Sequence, residues 1–424
     1  MELLNIPYEK YTLSNGLNII FHYNNSLPIV AVNLWYKVGS ANERVGKTGL
    51  AHLFEHMMFQ GSENVPKEKH FKYIQEAGGT LNGSTNFDRT NYYEKIPSNY
   101  LELALWLESD RMGLLLPALT EEKLNNQLDV VKNERLERYE NQPYGLAWEI
   151  LISNLYPKDH PYSWPTIGFM PDISYTLEEV KSFFKTYYSP SNATLVVAGD
   201  FERTRTKELI EKYFSEINSN GNHKNPNPEK PGLKKEILIE RKENVQLERI
   251  YFAWHSEKIF GKYDAPLEVL ADILSGSKNS RLYKTLVFDK EYAQDVTAYQ
   301  HSGKYGGIFL IIATAKPGVG LDKIKDEVFK EFENIEVNGV MDKELIRSKN
   351  GIKSGFIHSL QNIDSLANQL NYYSFYLNEP NSFNYDLKRY EETDSSLIKE
   401  TIQLYLTKPF VELRILPERV WESV

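Results

Sequence analysis

"AHLFEHMMFQGS", residues 51–62, and "APLEVLADILSGS", residues 265–277, end on the same Gly-Ser pair. Setting Gly61-Ser62 over Gly276-Ser277 places Leu267, Leu270 and Ala271 opposite His52, Glu55 and His56. Both windows read as helices, and the segments around them correspond in order. In the first half, "YTLSNGLNIIFHYN" (11–24) reads as a hairpin and "PIVAVNLWYKVGS" (28–40) as a buried strand. "GGTLNGSTNFDRTNYYEKIP" (78–97) and a helix, "YLELALWLESDRMG" (100–113), come later. In the second half "LERIYFAWHS" (247–256) is the buried strand, "GGIFLIIATAKPG" (306–318) a later strand and "LDKIKDEVFKEFENI" (321–335) the helix after it. The chain therefore repeats one mixed unit. Because the second copy folds with apolar residues at the three matched positions, the polar triplet of the first copy is not required by the fold.

A chain of 424 residues exceeds one comfortable core, which agrees with two units. "INSNGNHKNPNPEKPGLKKE" (217–236), rich in Asn, Pro and Gly, reads as an exposed connector. The division expected is residues 1–218, a linker at 219–235, and residues 236–424. Short turns such as "LSNGL" and "HYNNSLP" join neighbouring strands. They favour an α+β class, each unit a mostly antiparallel sheet with helices packed on one face, over a doubly wound parallel sheet.

Composition narrows the chemistry. A hydrophobic share of 41% and a charged share of 25% are those of an ordinary soluble protein. The net charge of -9 argues against a nucleic-acid partner, whose binding needs clustered Lys and Arg. With no cysteine, thiolate metal sites, disulfides and cysteine nucleophiles are excluded, so a metal here must use His and carboxylate. No run approaches the ~18 apolar residues of a membrane span. The amino-terminal stretch lacks the basic and apolar regions of a secretory signal, so the chain reads as cytoplasmic, or as periplasmic or secreted if a signal has been removed.

At about 100° per residue, His56 lies roughly 40° from His52 on a helix and Glu55 roughly 60° to its other side. All three share one face, while Leu53 and Phe54 turn away to pack the helix down. Two imidazoles one turn apart can reach a single zinc ion, and a hydrolytic site needs a third protein ligand plus an open position. The plainer alternative is two surface or core histidines that happen to share a helix. A third ligand would come from "LNNQLDVVKNERLERYENQPYG", where Glu134 follows two valines and Glu137 and Glu140 look solvated. Periodicity leaves that choice open. Zinc held by two neutral imidazoles and one carboxylate brings the pKa of water down to about 7, and Glu55 beside it could serve as general base. The other histidines, His22, His70, His160, His223, His255, His301 and His358, sit outside any ligand spacing and read as structural or solvated.

"HLFEH" and its surroundings resemble the pitrilysin family of zinc metallopeptidases, the inverzincins, which include insulin-degrading enzymes and mitochondrial processing peptidases. "VGSANERVGKTGLAHLFEHMMFQGS", "GGTLNGSTNFDRTNYYEKIP", "LWLESDRM", "DVVKNERLERYENQPYG", "YYSPSNATLVVAGDF" and "SRLYKTLV" carry the likeness over nearly the whole chain, most like the short bacterial members. The resemblance implies two similar α/β roll domains, one zinc ion per chain, His52, His56 and Glu134 as its ligands, and Glu55 as the general base. It implies a peptide substrate bound as an added strand in a closing chamber, with Asn82 contacting its backbone; a turn residue ahead of Gly83 is the plainer account of Asn82. Two departures stand out. Gln127 occupies a position where many relatives have glutamate, and "SRLYKTLVFDKEYAQDV" shows Lys284 and Ala293 where full-length relatives carry an Arg/Tyr pair. A homodimer, or a heterodimer with a related chain supplying that pair, is the expected assembly. The alternative function is a non-catalytic structural or peptide-binding subunit.

Overall fold

The computed structural model describes residues 4–219 and 223–418, so residues 220–222 of the connector lie outside the described residues. Two sheets organise the chain. The first contains β1 (Glu9–Thr12), β2 (Asn18–Tyr23), β3 (Ile29–Tyr36), β4 (Thr80–Thr85), β5 (Thr90–Pro97) and β6 (Ala193–Gly199), in the order β1-β2-β6-β3-β5-β4. Only the β2–β6 pairing is parallel. The order makes β4 an edge strand. The second sheet contains β7 (Ile237–Glu243), β8 (Arg249–Ser256), β9 (Ala293–Gly303), β10 (Gly306–Ala315) and β11 (Val411–Pro417), in the order β7-β11-β8-β10-β9. Its one parallel pairing is β7–β11. These are the two similar α/β domains, mostly antiparallel, that the repeat implied.

Strand β3 shows why the helices lie where they do. Every residue from Val30 to Tyr36 is buried, on both faces. On the Tyr36 face lie α1 (Leu50–Met57) and α2 (Leu101–Leu114), and Phe54 of α1 packs 4.9 Å from Tyr188, which in turn lies 4.9 Å from Tyr36. Behind them runs α3 (Glu121–Arg135), in contact with α1. The alternate residues Asn33 and Trp35 point the other way, as the strand period of two requires. A further helix of the first half, α4 (Ala147–Leu155), leaves this sheet altogether and packs against β8 and β11 of the second. There α5 (Asp264–Ser275) is the counterpart of α1, with Leu267 and Leu270 wholly buried. In return α6 (Ile363–Leu377), from the second half, covers the back of β3 and β6. Asn371 of α6 donates to the carbonyl and side chain of Asn33 at 2.9 and 3.0 Å, and the Trp35 indole donates to Asn368 at 3.1 Å.

The compact units therefore do not follow the linear division into 1–218, 219–235 and 236–424. One unit comprises Met1–Arg135, Trp164–Pro226 and Ile357–Asn384; the other comprises Leu136–Ser163, Asn227–Phe356 and Tyr385–Val424. The physical reason is that a strand apolar on both faces needs cover on both, and to helices on the front of its sheet each unit adds one drawn from the other half of the chain. Among the described residues no helix is long and apolar enough to cross a membrane.

Within the second unit, Tyr156 stacks on His160 with ring centroids 4.5 Å apart and meets His255 edge-on at 4.9 Å. Burial pushes both imidazoles down to about 4. A histidine with a depressed folded pKa contributes full stability above its unfolded value of about 6.5, and loses it as the pH falls from there towards 4, because only the unfolded chain takes up the proton. The melting temperature is accordingly expected to fall between pH 7 and pH 5, with a shallower slope in the His160→Asn, His255→Phe double variant. Equal slopes in the two proteins would remove these histidines as the cause.

Candidate metal centre

Helix α1 starts from Gly49, whose φ of 95° lies in the left-handed region that glycine enters without strain. Its apolar face, Leu50, Ala51, Leu53, Phe54 and Met57, is buried, and the opposite face carries His52, Glu55 and His56, as helical spacing foretold. The Tyr92 hydroxyl of β5 donates to the Phe54 carbonyl at 3.1 Å and pins the helix to the sheet. Helix α3 buries Leu124, Leu128 and Val131 on one stripe. Glu134 stands one turn beyond Val131 and two beyond Gln127, itself buried, so it continues that stripe towards α1. Glu137 and Glu140 lie past the end of α3 and are exposed.

The tertiary structure brings His52, His56 and Glu134 together. His56 Nε2 lies 3.1 Å and His52 Nε2 3.9 Å from Glu134 Oε2. The two imidazole centroids are 4.9 Å apart. One donor atom from each residue lies within 4.8 Å of the other two. Donors about 2.1 Å from one tetrahedral zinc ion sit roughly 3.4 Å from each other. The observed separations bracket that figure, so two nitrogens and one carboxylate oxygen of this arrangement fit a zinc ion. The three side chains are 14%, 24% and 16% exposed, enclosed enough to limit bulk water and open enough to admit an ion and a substrate group.

Glu55 is held apart from this cluster. Its carboxyl is raised above the ordinary carboxylate range, chiefly by burial, against the opposing pull of the Thr85 hydroxyl, His56 and Arg89. The side chain lies over β4 at Gly83, where a Cβ would stand 3.2 Å from both Glu55 Cγ and the Tyr92 ring. Gly83 and Tyr92 are cross-strand partners that shape the floor beneath Glu55. The sequence pattern gives Tyr92 no role and takes Gly83 only as the residue after a turn, although a glycine inside a strand pattern signals close approach by another group.

Asn82 is not a turn residue. It sits mid-strand in β4, opposite Tyr93, and its side-chain oxygen accepts from the Gly83 amide at 2.8 Å. Strand alternation turns it to the face opposite Gly83, and the fold does not bring it into the ligand cluster. It is exposed on the edge strand.

A second convergence, His70, Glu94 and Glu108, lies wholly buried. It already holds a cation: the Arg111 guanidinium donates to Glu108 at 2.9 Å through Nε, reaches Glu94 at 3.5 Å, and lies 4.2 Å from the centre of the Tyr92 ring. Burial and the Arg111 charge hold the His70 imidazole well below its ordinary value. This is a structural ion network behind α1. His22 and His223 bond to the carbonyls of Pro7 and Thr186 at 2.8 and 2.6 Å.

Residues 18–163 match the family model described as "Insulinase (Peptidase family M16)", and residues 174–352 match the one described as "Peptidase M16 inactive domain". A Helicobacter pylori protein named "Zinc protease PqqE" is 31% identical over 365 residues, 85% of this chain and 82% of the relative. The chain belongs to peptidase family M16, the pitrilysin family. Another M16 relative, named "Uncharacterized zinc protease YmxG", from Bacillus subtilis, is 26% identical over 84% of this chain and 85% of its own. Among solved structures, that of a protease from Helicobacter pylori superposes with a TM-score of 0.89 at 27% identity, covering 97% of this chain and 99% of its own. The M16 pattern accounts for the asymmetry of the repeat: the inactive-domain match spans the half in which Leu267, Leu270 and Ala271 are core residues.

Proposed function

We propose that this M16 chain is a zinc-dependent endopeptidase, with His52, His56 and Glu134 holding one zinc ion and Glu55 acting as general base. The observation that carries the reading is the convergence of three donor atoms from α1 and α3, with a fourth, non-converging carboxylate beside them. When bound, zinc supplies a Lewis acid that polarises a carbonyl and acidifies water. Glu55 takes a proton from water and passes it to the departing amine, a task suited to a carboxyl raised by burial towards the working pH.

Substrate binds as a strand. Strand β4 has a partner on one side only among the described residues, and its Gly83 touches Glu55. A peptide added to that edge gains backbone hydrogen bonds irrespective of sequence and runs beside the general base, and the exposed Asn82 on the same edge strand is the residue proposed to contact its backbone. The test is metal analysis paired with cleavage of a fluorogenic peptide. We expect one zinc per chain, loss of cleavage with a chelator and recovery on adding zinc. Chelator-insensitive cleavage, or no bound metal, would overturn the reading.

The partner is a second chain. Lys284 and the fully buried Ala293 stand in the stretch where the family resemblance leads one to expect an Arg/Tyr pair, and their presence favours a related chain supplying that pair. Purified alone, the chain is expected to cleave slowly, and to gain activity and apparent mass on mixing with such a partner. Full activity at monomer mass in size-exclusion chromatography would remove the partner from the proposal.

A further inference from the structure

The two ligand-bearing helices meet at a second place, away from the ligands. Glu43, in the loop ahead of α1, accepts the Gly49 amide through one carboxylate oxygen and the Ala51 amide through the other, both at 2.8 Å. A carboxyl group bound this way satisfies free amides at the start of α1 and fixes the rotation of its first turn, one residue from His52. The residues beneath it are locked to a second loop. Thr48, fully buried, donates to Asp172 at 2.8 Å and accepts the Phe169 amide at 2.9 Å. Gly49 and Gly168 abut so closely that a Cβ on the first would lie 2.4 Å from the Ile167 carbonyl oxygen, and one on the second 2.3 Å from that of Thr48. Into the same turn reaches Arg135, buried at the end of α3 and next to Glu134, donating to the Gly168 carbonyl at 2.6 Å. The indole of Trp164 closes the loop by donating to the Ser40 carbonyl at 3.0 Å.

We infer that Glu43 and Arg135 are positioning residues for metal capture: Glu43 fixes the start of α1, whose lead-in residues Thr48 and Gly49 pack on the turn Trp164–Phe169, and Arg135 ties the end of α3 to that same turn, so that His52, His56 and Glu134 are held at ligand distance before an ion arrives. The inference rests on the zinc reading of the site. A preorganised site binds metal more tightly because the ordering of its ligands is complete in the metal-free protein. Neither residue touches the ion or the substrate, so the effect is on affinity for metal and on kcat at limiting zinc, with KM for peptide unchanged.

The experiment measures zinc affinity by competition with a chromophoric chelator, well below the melting temperature, for the full-length wild type and for Glu43→Ala, Glu43→Gln, Arg135→Met and Arg135→Lys. Expected are losses of at least tenfold in Glu43→Ala and Arg135→Met. Smaller losses are expected in Glu43→Gln, which keeps one acceptor oxygen, and in Arg135→Lys, which keeps a charged donor. Excess zinc is expected to restore kcat, and the cobalt-substituted variants to show altered d–d bands. If an alanine or methionine variant does not fold, the conservative variant is read in its place. Wild-type affinity in folded variants overturns the inference while leaving the zinc site standing. A wild type that binds no zinc overturns the reading of the site itself and the inference with it.

Discussion

Replacing Glu55 with Gln is expected to lower kcat by about 10²–10⁴-fold, the range of a lost general base, with zinc content unchanged. The substitution keeps the shape that packs against Gly83 and Tyr92 and removes only the proton acceptor. It also removes a charge that burial disfavours, so the melting temperature should hold or rise slightly. Metal analysis, steady-state kinetics and a melting curve on the same sample make the check. Loss of zinc along with turnover would make Glu55 a ligand. Unchanged turnover would remove Glu55 as the general base.

Glu134→Gln is expected to act in the opposite order, on metal first and on turnover as a consequence. The variant keeps the side chain's volume at the end of the buried stripe of α3 but removes the anionic oxygen 3.1 Å from His56 Nε2. Losing a direct ligand should weaken zinc binding by more than the ~10–100-fold typical of changes in the outer shell. Glu137→Gln and Glu140→Gln, at exposed positions past the helix, serve as controls expected to bind zinc as the wild type does. A Glu134 variant that retained stoichiometric zinc at wild-type affinity would break the proposed ligand set.

Much of the candidate site was legible because helical geometry is local. The angles between His52, Glu55 and His56 follow from their spacing once the stretch is a helix, and the observed α1 presents all three on the face opposite Leu53 and Phe54. Glu134 was legible only in part. The apolar period through Leu124, Leu128 and Val131 includes it, but periodicity could not say where α3 ends, and that end separates Glu134 from the exposed Glu137 and Glu140. Asn82 was readable as a residue of the "GGTLNGSTNF" edge, yet the side on which it stands depends on the register of β4 against β5, and that register turns it away from Glu55. Glu43 and Arg135 carried no signal in isolation, since an acidic residue near a helix start and an arginine near a helix end are commonplace on solvated surfaces.

The strands, the repeat and the shared face of His52, Glu55 and His56 on one helix were written in residue order, because periods of two and of 3.6, and turn residues, act over a few positions at a time. Distance along the chain hid the rest. The trade of α4 and α6 between the halves of the chain, the approach of Glu134 to two imidazoles far upstream, and the packing of Gly83 beneath Glu55 all arise from apolar faces finding cover. A sheet buried on both sides accepts any helix with a complementary face, and nothing in the local pattern says which half of the chain will provide it.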